Sequence, residues 1–205
     1  MKACRQLPDG YREILHIDLQ HDKKLAAKVN LMAGAVMVLL LILGFILSPA
    51  PLSVGPENLS AYLLRCAVLL VGYVLYIILH ELTHAAAMKA VGGRSVVFGF
   101  TGLYAFAGSK EDWFDKTAYR FIALAPLVLW GILFGVLLAV LPREWFLVIW
   151  ILGAGNIAGS FGDIYVTLRL LRQPASVLIR DTGVEMRVYG PAAGLSADKT
   201  VDPAL

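Results

Sequence analysis

Residues 61–91 read AYLLRCAVLLVGYVLYIILHELTHAAAMKAV, an apolar run closed by Gly92-Gly93. A helix needs ~20 mostly apolar residues to cross the hydrocarbon of a bilayer, and this run exceeds that length. Near its end stands His80-Glu81-Leu82-Thr83-His84. Residues i and i+4 of a helix lie one above the other on one face, so both imidazoles can reach a single metal ion. Glu81, beside the first histidine, is then placed to take a proton from water at that metal. Each charged group within a membrane span costs about 2.5–3.5 kcal/mol on insertion scales, so its presence there points to function. The competing reading is a buried, purely structural cluster of hydrogen bonds, which gives no reason for this spacing.

Three further runs are long and apolar enough to span: Val29 to Leu47, closed by Ser48-Pro49-Ala50-Pro51; Thr117 to Leu141, closed by Pro142; and Trp145 to Leu171, closed by Gln173-Pro174. The composition agrees. Of 205 residues 59% are hydrophobic and 16% charged, against about 45–50% and 25% in soluble domains, and the mean hydropathy is +0.72. These figures exclude a disordered chain, a coiled coil and a disulfide scaffold. The expected fold is an all-α integral membrane protein with four transmembrane helices. Residues 1–28 would form an N-terminal segment, 29–171 the four-span core and 172–205 a tail. Residues 93–107 mix β-branched and aromatic residues with glycines and read as a short hairpin. Val177 to Tyr189 reads as a possible second one, turning at Asp181-Thr182-Gly183. Lys110 to Lys116 suits an interfacial segment, and the last fifteen or so residues a disordered tail.

Lysine and arginine set the orientation. Lys2, Arg5, Arg12, Lys23, Lys24 and Lys28 precede the first span, and the loop from Leu52 to Ser60 has none. Lys89, Arg94, Lys110 and Lys116 follow the second span, the turn at Pro142 has only Arg143, and Arg172, Arg180, Arg187 and Lys199 follow the fourth. The alternation predicts a multi-pass protein of the cell membrane with both termini and the middle loop cytoplasmic. Residues 1–28 are polar, so no cleavable signal peptide is expected. The net charge of +3, with no basic stripe, argues against nucleic acid as a partner. Cys4 and Cys66 fall at different depths, which argues against a disulfide.

Two histidines do not complete a catalytic zinc site, which usually has three protein ligands. Asp163 is the one acidic residue in the apolar body of the fourth span. His80 and Asp163 lie about equally far along two spans that run in the same direction, so they should meet at one level near the cytoplasmic face. Gly155, Gly159 and Gly162, with Ala85, Ala86 and Ala87, would let the helices approach closely. So many glycines also suit a partly unwound stretch lining a cavity. The bland alternative for Asp163 is a structural carboxylate paired with Arg169 or with backbone donors. Glu111 is a rival third ligand, while His16 and His21 read as solvated surface residues. Asn156 shares a helical face with Asp163 and either donates to a developing oxyanion or bonds across helices.

The HELTH element, a glycine turn, a short hairpin, an apolar Ala125-Pro126 span and a late Asn156 and Asp163 resemble the site-2 protease group of intramembrane zinc metalloproteases. The chain resembles more closely still a bacterial family of small membrane zincin peptidases. The likeness covers roughly residues 60–170. It implies zinc held by His80, His84 and Asp163, Glu81 as general base, and Asn156 in the role of an oxyanion donor. Gly162-Asp163-Ile164 stands where the site-2 pattern has Leu-Asp-Gly.

The expected function is a membrane-embedded zinc metallopeptidase acting on membrane or membrane-proximal protein substrates near the cytoplasmic face. The hairpin at 93–107 would offer a strand edge to an extended peptide. Its partners are lipid and a protein or peptide substrate, and the sequence gives no oligomeric state. The alternatives are a catalytically inactive membrane protein that binds partners, or a metal transporter or sensor.

Overall fold

The computed structural model describes residues 2–49, 58–102 and 105–192; the expected disordered tail lies mostly outside them. Four helical segments are long and apolar enough to cross a membrane: 23–47, 59–90, 116–140 and 143–171. The first is helix α1 (Lys23–Leu47), started by Asp22, whose carboxylate accepts the Leu25 N–H at 3.0 Å and so satisfies one of the donors a helix leaves open at its start. Helix α2 (Leu59–Ala90) follows. Helix α3 (Lys116–Val140) is capped in the same manner by Asp115, which accepts the Ala118 N–H at 2.7 Å. The fourth segment opens on a short 3-10 turn (Arg143–Trp145) and divides into α4 (Phe146–Gly159) and α5 (Phe161–Leu171) at Ser160. The chain does not unwind there. Ser160 N–H still bonds the Asn156 carbonyl at 3.1 Å and Ile164 N–H bonds that of Ser160 at 2.9 Å.

The all-α expectation is wrong. Among the described residues the chain forms seven strands: β1 (Ala3–Cys4), β2 (Tyr11–Asp18), β3 (Val96–Phe100), β4 (Ala105–Ser109), β5 (Trp113–Asp115), β6 (Leu178–Asp181) and β7 (Glu185–Pro191). Five of them make one antiparallel sheet in the order β1-β5-β6-β7-β2, and β3 and β4 make a separate hairpin. Two misreadings account for the error. Residues 11–18 look like a charged surface segment because a β-bulge between Glu13 and Leu15 interrupts the apolar alternation that marks a strand. Past the bulge, Leu15 and Ile17 face the core while His16 is exposed. The stretch taken as interfacial contains β5, whose Phe114 is fully buried and pairs with both Ala3 and Ile179.

The five-stranded sheet draws on the N-terminal segment, the α2–α3 loop and the segment after α5, so all three lie at one end of the bundle. There Phe114, Ile179 and Val188 pack with Met88 of α2, Ile122 of α3 and Leu170 of α5. A second core, Tyr76, Phe134, Val148, Ile149 and Leu152, fills the bundle further along. Outside these cores α1 and α2 bury little, and large apolar side chains such as Leu31, Ile46, Leu70 and Ile78 face outward. One polar tie joins sheet to helix and two join helix to helix. The Tyr119 hydroxyl of α3 donates to Asp181 of β6, Lys116 Nζ donates to the carbonyls of Leu171 and Gln173 at the end of α5 at 3.2 and 2.6 Å, and Trp150 Nε1 donates to the Leu40 carbonyl of α1 at 2.7 Å. Close approach does the rest. A Cβ on Gly155 would stand 2.6 Å from the Tyr73 ring, which is how α4 reaches α2.

Asp112 anchors the hairpin. It is 1% exposed, and one carboxylate oxygen accepts the N–H groups of Arg94 (2.8 Å) and Ser95 (2.7 Å) and the Ser109 hydroxyl (2.9 Å). Burial raises its pKa, but these donors outweigh burial and hold the carboxyl below its ordinary value. A depressed carboxyl contributes stability above its unfolded pKa of ~3.9 and loses it as pH falls through the folded value. Amide protection across β3–β4, relative to the unfolded rate at each pH, should therefore be high at pH 5 and fall below about pH 4, and Asp112→Asn should show the low protection at both. Gly155→Val should lower thermal stability by about 1–3 kcal/mol through overpacking against Tyr73, read as a lower melting temperature in detergent.

Candidate metal centre

Helix α2 places His80 and His84 on one face, as the four-residue spacing requires, and α5 brings Asp163 to them. His80 Nε2 lies 3.6 Å from Asp163 Oδ2, and His84 Nε2 lies 3.6 Å from Oδ1. The two imidazoles are each 8% exposed and Asp163 is partly buried. At 3.6 Å these are not hydrogen bonds.

The remaining ring nitrogens fix the tautomer of each neutral imidazole. His84 Nδ1 meets the Ile122 carbonyl at 3.0 Å; a carbonyl only accepts, so Nδ1 carries the proton. The proton on His80 follows by a longer chain. Asn156 Nδ2 donates to the Leu127 carbonyl at 3.0 Å, which orients the amide and turns Oδ1 to the Tyr76 hydroxyl, 3.0 Å away. Tyr76 donates to that oxygen, so its own oxygen accepts from His80 Nδ1 at 2.9 Å. When neutral, each imidazole therefore presents a bare Nε2 lone pair to one carboxylate. Three electron-rich donors facing one another in a buried site repel unless a cation lies among them. Two donors bound to one tetrahedral zinc at ~2.0–2.2 Å are about 3.3–3.6 Å apart, so this donor set fits zinc.

Glu81 is half-buried beside the histidines, with the Ala107 N–H of β4 turned to its carboxylate. The hairpin thus reaches the expected base. Glu111 is exposed in the turn between β4 and β5 and has no place in the cluster; Arg169 is exposed rather than set against Asp163. His16 is exposed on β2 and His21 in the turn between β2 and α1. His16 faces Glu185 at 3.0 Å and His21 faces Asp18 at 2.8 Å. His16, Asp18 and Glu185 also fall within reach of a common ion. Arg187, however, already contacts Glu185 at 3.0 Å and Glu13 at 3.4 Å and supplies the positive charge there.

Sequence reasoning missed the groups behind the histidines. Tyr76 stands four residues before His80, as His80 stands four before His84, and this third step on the same helical face was a readable signal. The carbonyls of Ile122 and Leu127 carry no sequence signal of their own, although Pro126 between them does.

A protein-family model described as "Putative zincin peptidase" matches residues 73–178, more than half of the chain. The matched stretch contains Tyr76, His80, Glu81, His84, Pro126, Asn156 and Asp163. Neither a curated protein nor a solved structure matches the chain. With its histidine pair, carboxylate and supporting groups all inside the matched stretch, the protein belongs to this zincin peptidase family.

Proposed function

We propose that the protein is a multi-pass membrane zinc metallopeptidase, similar to site-2 proteases, that hydrolyses peptide bonds of membrane or membrane-proximal substrates near the cytoplasmic face. The observation that carries this reading is the convergence of His80, His84 and Asp163, with both histidine Nε2 lone pairs turned to the carboxylate. Membrane embedding is supported by the four long apolar segments and by apolar side chains facing outward along them. The cytoplasmic assignment rests on the lysines and arginines in the three segments that share the sheet.

His80, His84 and Asp163 would hold the metal. Zinc, when bound, supplies a Lewis acid for the scissile carbonyl and acidifies water at its open position. Glu81 accepts the proton of the attacking water and returns it to the leaving amine. The Ala107 N–H holds the Glu81 carboxylate toward the site. The hairpin β3–β4 packs against α2 and offers backbone groups to an extended peptide. Asn156 has both ends of its amide engaged, by Tyr76 and by the Leu127 carbonyl. Its proposed role is accordingly to position Tyr76 and His80, in place of the oxyanion contact expected from the resemblance.

Detergent-purified wild type should hold about one zinc per chain and cleave a membrane-anchored test peptide. Glu81→Gln should keep the zinc and lose at least about 100-fold in cleavage rate, since a positioned base contributes ~10²–10⁴-fold. Asp163→Ala should lose or weaken the zinc. Absence of metal from reconstituted wild type would refute the peptidase reading in favour of a non-catalytic membrane protein. Zinc retained undiminished in Asp163→Ala would remove Asp163 from the ligand set.

A further inference from the structure

Pro126 lies within α3, fully buried and flanked by apolar residues. A proline inside a helix is destabilising relative to alanine, because it lacks the N–H that should bond the carbonyl four residues back and its ring pushes that carbonyl aside. Four residues back is Ile122. In an apolar span a carbonyl without a donor is itself expensive. Here it has one: the Ile122 oxygen accepts from His84 Nδ1 at 3.0 Å, both groups buried. The helical bond that proline removes and the bond that orients a candidate ligand share one acceptor atom.

We propose that Pro126 is a positioning residue for His84, freeing and tilting the Ile122 carbonyl so that it fixes the tautomer and ring orientation of that imidazole. The inference rests on the metal-centre reading above and deepens it. With an ordinary residue at 126, the backbone N–H competes for the Ile122 oxygen and draws it toward the helix axis. The carbonyl then swings away from α2, and His84 loses the partner that keeps its proton on Nδ1 and its lone pair on Nε2. Partners of this kind behind a ligating histidine typically change metal affinity by 10–100-fold. Thr83 does not provide the same service to His84, since its hydroxyl is turned back to the Leu79 carbonyl at 2.7 Å.

The test sets two readouts against each other. Zinc affinity is measured by competition with a chromophoric chelator in detergent, and the melting temperature is measured on the metal-free protein, for wild type, Pro126→Ala and Pro126→Ser. Removing a helical proline should leave the metal-free protein as stable as wild type or more so, while zinc affinity falls 10–100-fold. Nitrogen NMR of the metal-free protein should find His84 protonated at Nδ1 in wild type and mixed between its two nitrogens in both variants. Affinity equal to wild type, or stability and affinity lost together in both variants, would overturn the proposal. Wild type that binds no zinc would instead bring down the metal-centre reading on which it rests.

Discussion

Two imidazole lone pairs and a carboxylate turned toward one another inside an apolar bundle form an arrangement that repels itself, and much of the remaining structure holds it in place. In water such groups would rotate apart or take up protons. Here His84 is held by a carbonyl of α3, and His80 by Tyr76 and Asn156, which is itself fixed to a second α3 carbonyl. Asp163 is carried on a separate helix that begins just beyond Ser160. The electrostatic cost of keeping these donors together is therefore distributed over hydrogen bonds from three different helices. Such supporting bonds gain strength where solvent is scarce.

The same scarcity of solvent explains why α3 is central although it contributes no ligand. A helix satisfies its own backbone, so a carbonyl is free to serve another group only where the ladder is disturbed or where an oxygen accepts twice. Ile122 is the first case and Leu127 the second, one on each side of Pro126. The sheet then secures this region from the other end: Phe114 and Ile179 pack against Ile122, and Tyr119, one turn earlier in α3, bonds Asp181. The site lies between the core under the sheet and the core along the bundle.

The spans, the helical histidine pair and the candidate acidic partner were legible because each leaves a local mark: length, a four-residue step, and one carboxylate in an apolar run. The two hairpins were legible for a similar reason, as β-branched and aromatic residues around a glycine turn. The five-stranded sheet was not. Strand β2 owes its pairing to β7, which lies beyond all four long helices and sets Arg187 opposite His16, and its bulge hides the alternation that would have revealed it. Strand β5 has only three residues and is bracketed by charges. Within the site, side-chain identities were legible, whereas the hydrogen-bond directions were not, because they end on backbone carbonyls that every residue possesses.

The pairing of β2 with β7 has a consequence for how the molecule is made. Strand β2, which precedes all four long helices, finds its neighbour β7 only after they have been synthesised. At ribosomal rates of ~5–20 residues per second, β2 waits on the order of 10–30 s with its backbone unpaired. Its bulge and the charges of Arg12, Glu13 and Asp18 are features that keep an unpaired strand from joining a foreign one. Closure of the sheet is thus among the last events of assembly, and it locks the segment before α1 to the segment after α5 over the finished bundle.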